Sequence, residues 1–152
     1  FDAIDRIAAK TASPNLLVDP SDDLFFNPSD MKTAFDDYLV RVYGRKLQSE
    51  ADYYRCAYES LAAAFRETLL ELELLRGKSF DSIYVIGGGS QSDLLCQLTA
   101  NATGKLVIAG PVEAAVTGNL LIQAIAVGRF NSLEEAKNHM FKSMQVRNYF
   151  PG

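Results

Sequence analysis

Ile83 to Leu98 reads IYVIGGGSQSDLLCQL: an apolar run, three consecutive glycines, then a helical pattern. No other stretch constrains the fold as much. Ser82 to Ile86 is short, β-branched and aromatic, which predicts a strand. Ser90 to Thr103 predicts a helix with Leu94, Leu95, Leu98 and Ala102 turned inward and Gly104 as its stop. Leu106 to Ala109 predicts a second strand. A strand, helix and strand in this order form a right-handed parallel crossover. The glycines then lie at the carboxyl edge of the sheet, where open α/β folds bind ligands.

Around this unit the chain reads as helical. Ile4 to Ala9 predicts a short helix. Ser13 to Asp30 predicts a loop in which LLVDP and LFF are extended pieces packed on a core. Met31, Phe35, Tyr38, Leu39 and Val42 share one face of a helix capped by Ser29 or Asp30 and ended by Gly44. Ser49 caps the longest helical pattern, which runs to Arg76 and stops at Gly77, with Arg55 and Glu59 pairing on its wet face. Val112 to Val127 is apolar nearly all round and predicts a central, buried helix. Ser132 and Glu135 form a capping box for a last helix, and NYFPG reads as an irregular tail. Two short strands make a thin sheet, whereas parallel sheets are usually larger and covered on both faces. Further strands upstream are therefore expected, and a chain opening on Phe1 fits a fragment of something longer.

Bulk properties exclude several classes. The 152 residues suit one domain, and a net charge of −4 gives no basic face for nucleic acid. The Val112–Val127 run holds Glu113, Asn119 and Gln123 and is too short to span a bilayer. Asp2, Asp5 and Arg6 interrupt any secretory signal, so a cytoplasmic protein is expected. Cys56 and Cys96 form no CxxC pair and His139 is the one histidine, which argues against zinc and thioredoxin chemistry and against paired-histidine metal sites. Both cysteines read as buried free thiols.

The glycine triplet has two readings that the residues leave open. Glycine lets a phosphate or sugar touch main chain, and a helix start supplies N–H donors. The same glycines also serve a tight turn that packs helix on sheet. Known phosphate loops fit poorly. Ser90, Gln91 and Ser92 supply no Walker lysine, and a GxGxxG dinucleotide fingerprint would need glycine at Ser92. Glu113, in the first turn of the next helix, either compensates the helix dipole, an effect of about 0.3–1 kcal/mol, or lines the same edge as the glycines.

Taken together, GGGSQSDLLCQLTANATGKLVIAGPVEAAVTGNLLIQAIAVG resembles the C-terminal lobe of carbohydrate kinases of the FGGY family. Within that family FFNPSDM, LRG and YFP are similar to the rhamnulokinase branch. The resemblance implies an α/β fold: a fragment of an actin-like, ribonuclease-H-like ATPase lobe, mostly helical with a short parallel sheet of two strands. Residues 1–152 would be part of the nucleotide-binding lobe. The implied reaction transfers a phosphoryl group from Mg-ATP to L-rhamnulose, giving L-rhamnulose 1-phosphate.

The resemblance also implies site residues. Gly87, Gly88 and Gly89 match the adenosine-binding glycine loop. Ser92 stands where many members have an asparagine facing adenine, and its hydroxyl cannot make a two-bond amide contact. Gln91 either replaces that contact or faces solvent. Asn27 falls on the nucleotide side, and Glu113 and Asn119 are architectural. The catalytic aspartate and the N-terminal phosphate loop lie upstream in the family, so no catalytic residue is assigned here and ATP and magnesium are the cofactors of the parent. The competing class is a non-catalytic interaction module with an actin-like half-fold; a dinucleotide-binding domain ranks behind it. An exposed, truncated sheet favours association with a second copy; a clean monomer in light scattering at high concentration would contradict this.

Overall fold

A computed structural model describes residues 2–143 and 146–152. Local capping sets most helix ends. Helix α1 spans Asp2–Lys10. Helix α2 spans Met31–Tyr43; Asp30 accepts from the Thr33 amide at 2.8 Å and Gly44 closes it at φ +71°. Helix α3 spans Glu50–Arg76, where Ser49 and Asp52 form a reciprocal capping box and Gly77 turns the chain out at φ +69°. Each such cap contributes about 1 kcal/mol. The 27 residues of α3 make a rod about 40 Å long, and α1 and α4 (Asp93–Thr103) pack against it.

Strand β1 (Ser82–Val85) pairs in parallel with β2 (Leu106–Ala109), Ser82 opposite Leu106 and Val85 opposite Ala109. Helix α4 connects them, so the expected crossover is present. Cys96, Ala100, Val107 and Ala109 form the core between α4 and the sheet. Ala8, Tyr58 and Leu95 join α1, α3 and α4. A separate core gathers Leu16, Val18, Phe35, Leu39, Tyr53 and Cys56 on another face of the same N-terminal half of α3. There the Val18 amide donates to the buried Ser60 hydroxyl at 2.9 Å, which ties the loop to the helix.

Four sequence expectations are corrected. The tail is not irregular: Arg147–Tyr149 forms β3, antiparallel to β2, and the sheet is mixed with the order β1-β2-β3. Three residues carry no alternation that sequence could reveal; their pairing depends on an edge that β2 supplies. The LFF segment is not extended. Asp23–Phe25 is a 3-10 turn capped by Asp22, with Phe26 89% exposed. Arg55 and Glu59 do pair, at 2.6 Å, but both side chains are largely buried, because Glu59 also accepts from Ser13. The apolar helix α5 (Ala114–Ala126) is not buried. Val116, Leu120 and Ile122 are more than half exposed, and its packing is chiefly on α6 (Leu133–Ser143). An all-round apolar helix needs layers on several sides, and the described residues supply few. Among them, no helix is long and apolar enough to cross a membrane.

One electrostatic knot ties the end of α3 to both parallel strands. The Glu73 carboxylate accepts from the Phe80 amide (2.7 Å), Lys105 (2.9 Å) and Ser79 (3.0 Å). The Phe80 hydrogen bond foremost, then Lys105, draws its pKa down to about 2 from the ordinary 4.5. A lowered folded pKa adds stability that is complete above the unfolded value and fades as pH falls toward the folded one. Glu73→Gln is therefore expected to flatten the pH dependence of Tm between about 4.5 and 2. Parallel acid profiles for the two proteins would contradict this.

Candidate functional site

The carboxyl edge of the parallel pair is stitched from both sides. The Gly110 amide donates to the Val85 carbonyl at 2.8 Å, and the Gly87 amide donates to the Pro111 carbonyl at 3.2 Å. These bonds hold a 3-10 turn, Gly87–Gln91, against the start of the next segment. A Cβ on Gly110 would sit 3.2 Å from Ile86 Cγ2, a close fit that the isoleucine would have to relieve by shifting a few tenths of an ångström.

The three glycines have different jobs. Gly87 adopts φ +74°, a conformation that side chains disfavour. Gly89 faces the core, where a Cβ would meet Val85 Cγ1 at 3.7 Å and Leu95 Cδ2 at 3.9 Å. Gly88 is exposed, and a Cβ on it would meet nothing within 4 Å. Bare main chain thus faces solvent at one residue of the triplet.

Helix α4 starts later than its sequence pattern indicates. Its first residue is Asp93, because Ser92 takes the cap position. Ser92 is buried; its hydroxyl accepts from the Leu95 amide at 3.0 Å and donates to Asp5 of α1. Asp5 also accepts from the Leu94 amide at 3.3 Å. Beside them, burial and then the Asp5 carboxylate push the Tyr58 phenol up to about 12. Two of the amides that sequence reasoning offered to a ligand are therefore engaged within the protein. Uncovered main chain at this edge lies at Gly88, whereas the Leu94 and Leu95 amides are already taken.

Of the residues singled out from sequence, Gly87, Gly88, Gly89, Gln91 and Ser92 lie on this one continuous turn, with Gln91 exposed. Asn27 is elsewhere. It is exposed, at φ +57°, in the loop before α2, and no hydrogen bond joins it to the turn among the described residues. Glu113 is the cap residue of α5 but makes no capping hydrogen bond through its side chain, and it is exposed.

Sequence reasoning missed Asp5, Ser90, Asp93, Arg147 and Tyr149. The buried Ser90 hydroxyl donates to the Gly87 carbonyl at 2.7 Å. Arg147 reaches the Ser90 carbonyl at 2.5 Å and pairs with Asp93, which also accepts from Tyr149. Only their partners far along the chain give them a role, and no local pattern marks that.

Burial pushes the Cys56 and Cys96 thiols up to about 11, so neither is a ready nucleophile. Among the described residues, no group of three or more His, Cys, Asp or Glu side chains could hold a metal ion. Beside the turn, Tyr84, Ile86, Gly110, Pro111 and Gly118 line part of an apolar cavity of about 200 Å³.

Residues 1–127 match the FGGY family of carbohydrate kinases, C-terminal domain. The chain is also similar to a protein named rhamnulokinase from Bacteroides thetaiotaomicron, with 40% identity over 136 residues; the match covers 89% of the chain and 28% of that relative. The chain thus spans under a third of the length of this curated relative. With its glycine turn at the carboxyl edge of a parallel crossover and a family match over residues 1–127, the chain belongs to the FGGY family of carbohydrate kinases, in the part described by the family's C-terminal domain.

Proposed function

We propose that this chain forms the nucleotide-facing part of a carbohydrate kinase of actin-like architecture. The parent would move the terminal phosphoryl group of Mg-ATP to L-rhamnulose, giving L-rhamnulose 1-phosphate in the cytoplasm. One observation carries the reading: Gly88 offers exposed main chain with nothing over it, at the carboxyl edge of a parallel strand pair. Nucleotides meet open α/β sheets at that edge.

In this reading Gly87 and Gly88 let the α-phosphate and ribose approach the backbone. Gln91, exposed at the end of the turn, is the side chain available to the base. Ser92 serves the site indirectly, because its hydroxyl is committed to the Leu95 amide and Asp5. Magnesium would arrive on the nucleotide's phosphates, since the described residues offer no cage for it. ATP supplies the phosphoryl group; these residues bind and orient it. The sugar is inferred from the family resemblance and from the name of the relative.

Calorimetry with Mg-ATP tests the reading. Binding weaker than micromolar is expected, because one wall of a cleft makes only part of the contacts. No heat at millimolar nucleotide would remove the nucleotide assignment. A micromolar or tighter dissociation constant would contradict the one-wall view.

A further inference from the structure

The C-terminal segment is laced along one face of α4. Arg147 and Tyr149 both reach Asp93. Gln97 Nε2 donates to the Phe150 carbonyl at 2.7 Å, and the Gly152 amide donates to Asn101 Oδ1 at 3.0 Å. Asp93, Gln97 and Asn101 recur every four residues, the spacing of one helix face. Of these contacts, the one from Arg147 to Ser90 goes to the main chain of the glycine turn itself, with Nη2 at 2.5 Å from the carbonyl oxygen.

That contact has a directional consequence. The Ser90 hydroxyl draws the Gly87 carbonyl inward, at 2.7 Å. A trans peptide sets its C=O and N–H on opposite sides. With the Gly87 carbonyl held toward the buried serine, the Gly88 N–H of the same peptide points away from it. Ser90 can hold this bond only while its own backbone stays in place, and Arg147 fixes the carbonyl of that same residue.

We propose that Arg147 is a positioning residue for nucleotide binding, holding Ser90 so that the Gly88 amide is presented outward. The proposal rests on the nucleotide reading above. The Arg147–Asp93 pair is exposed, Asp93 more so than Arg147. Exposed pairs contribute little to global stability, so the effect of Arg147 falls on the geometry of the turn. The fork of the guanidinium matters as well. Separate nitrogens serve Asp93 and the Ser90 carbonyl, which the compact charge of a lysine cannot reproduce.

The test uses the full 152-residue chain, ¹⁵N-labelled, with the amide signals of Gly87, Gly88, Gly89 and Ser90 followed with and without Mg-ATP. Arg147→Ala is expected to shift or broaden the Gly88 and Ser90 signals before nucleotide is added. It should weaken Mg-ATP binding about tenfold, the scale of one charge-assisted hydrogen bond, with Tm nearly unchanged. Arg147→Lys should recover only part of the affinity. Unchanged turn signals and equal affinity in Arg147→Ala would overturn the proposal while leaving the nucleotide reading intact. Full rescue by lysine would also overturn it, since charge alone would then suffice. If Mg-ATP moves none of the glycine signals in the unmodified chain, the nucleotide reading itself fails and takes the proposal with it. Should Arg147→Ala fail to fold, Asp93→Asn removes the ion pair and keeps an acceptor. It should weaken binding by about threefold, a fraction of the loss from deleting the arginine, and unchanged affinity would again overturn the proposal.

Discussion

Gly88→Leu is expected to abolish detectable Mg-ATP binding while leaving Tm close to that of the unmodified chain. The folded protein has no objection to a side chain there: Gly88 has no positive φ, and an added Cβ meets nothing within 4 Å. Surface substitutions of this kind shift stability by about 0.5 kcal/mol or less. A bound nucleotide would object strongly, because the leucine would fill the space through which phosphate and ribose reach the backbone. Charge-assisted hydrogen bonds from main-chain amides are among the stronger polar contacts, so a loss of more than about tenfold is expected. Gly87→Leu makes the contrast. At φ +74° a side chain costs about 1–2 kcal/mol, so that variant should lose both stability and binding. Thermal melts with calorimetric titration separate the two. Retained binding in Gly88→Leu would show that ligand does not approach there.

The 152-residue chain, given Mg-ATP and L-rhamnulose, is expected to show negligible turnover. Phosphoryl transfer works by holding donor, acceptor and metal in line, with charge stabilised on several sides at once. The acceptor hydroxyl also needs a base within hydrogen-bond reach. The groups gathered at the glycine turn are amides, a committed serine, an exposed glutamine and an arginine paired with Asp93. The two carboxylates at the turn, Asp5 and Asp93, already accept from Ser92 and the Leu94 amide and from Arg147 and Tyr149, so neither is offered to a sugar hydroxyl. In the kinase reading proposed above, the base would come from another part of the parent. A coupled assay for ADP release that depends on L-rhamnulose measures this directly. Turnover near that of a complete family enzyme would show that the chain carries its own base and sugar pocket.

What could be foreseen from sequence divides by range. Asp30, Ser49, Gly44, Gly77 and Gly104 mark helix ends through contacts within one turn, and the structure uses each as a cap. The β1–α4–β2 crossover was legible because hydrophobic period and glycine punctuation agree over a short span. Features that depend on distant partners were not. Ser92 lies 87 residues from Asp5, and nothing nearby signals that its hydroxyl is committed there. β3 exists because β2 offers an edge, and its three residues show no pattern of their own. The exposure of α5 follows from which layers cover it, whereas its sequence reports only that it is apolar. At the candidate site, the glycine turn was legible as an object. Its division of labour was not, because all three residues are the same letter. Backbone angle and surroundings alone separate Gly87, Gly88 and Gly89.

Nucleotide is expected to rest on the uncovered main chain at Gly88. A crystal structure of the chain with a non-hydrolysable ATP analogue and magnesium checks this. Phosphate density is expected within hydrogen-bond distance of the Gly88 amide, with the ribose over Gly87 and Gly88. Analogue density seated elsewhere would contradict it, for instance in the larger open groove of about 790 Å³ between Tyr38, Tyr43 and Glu67.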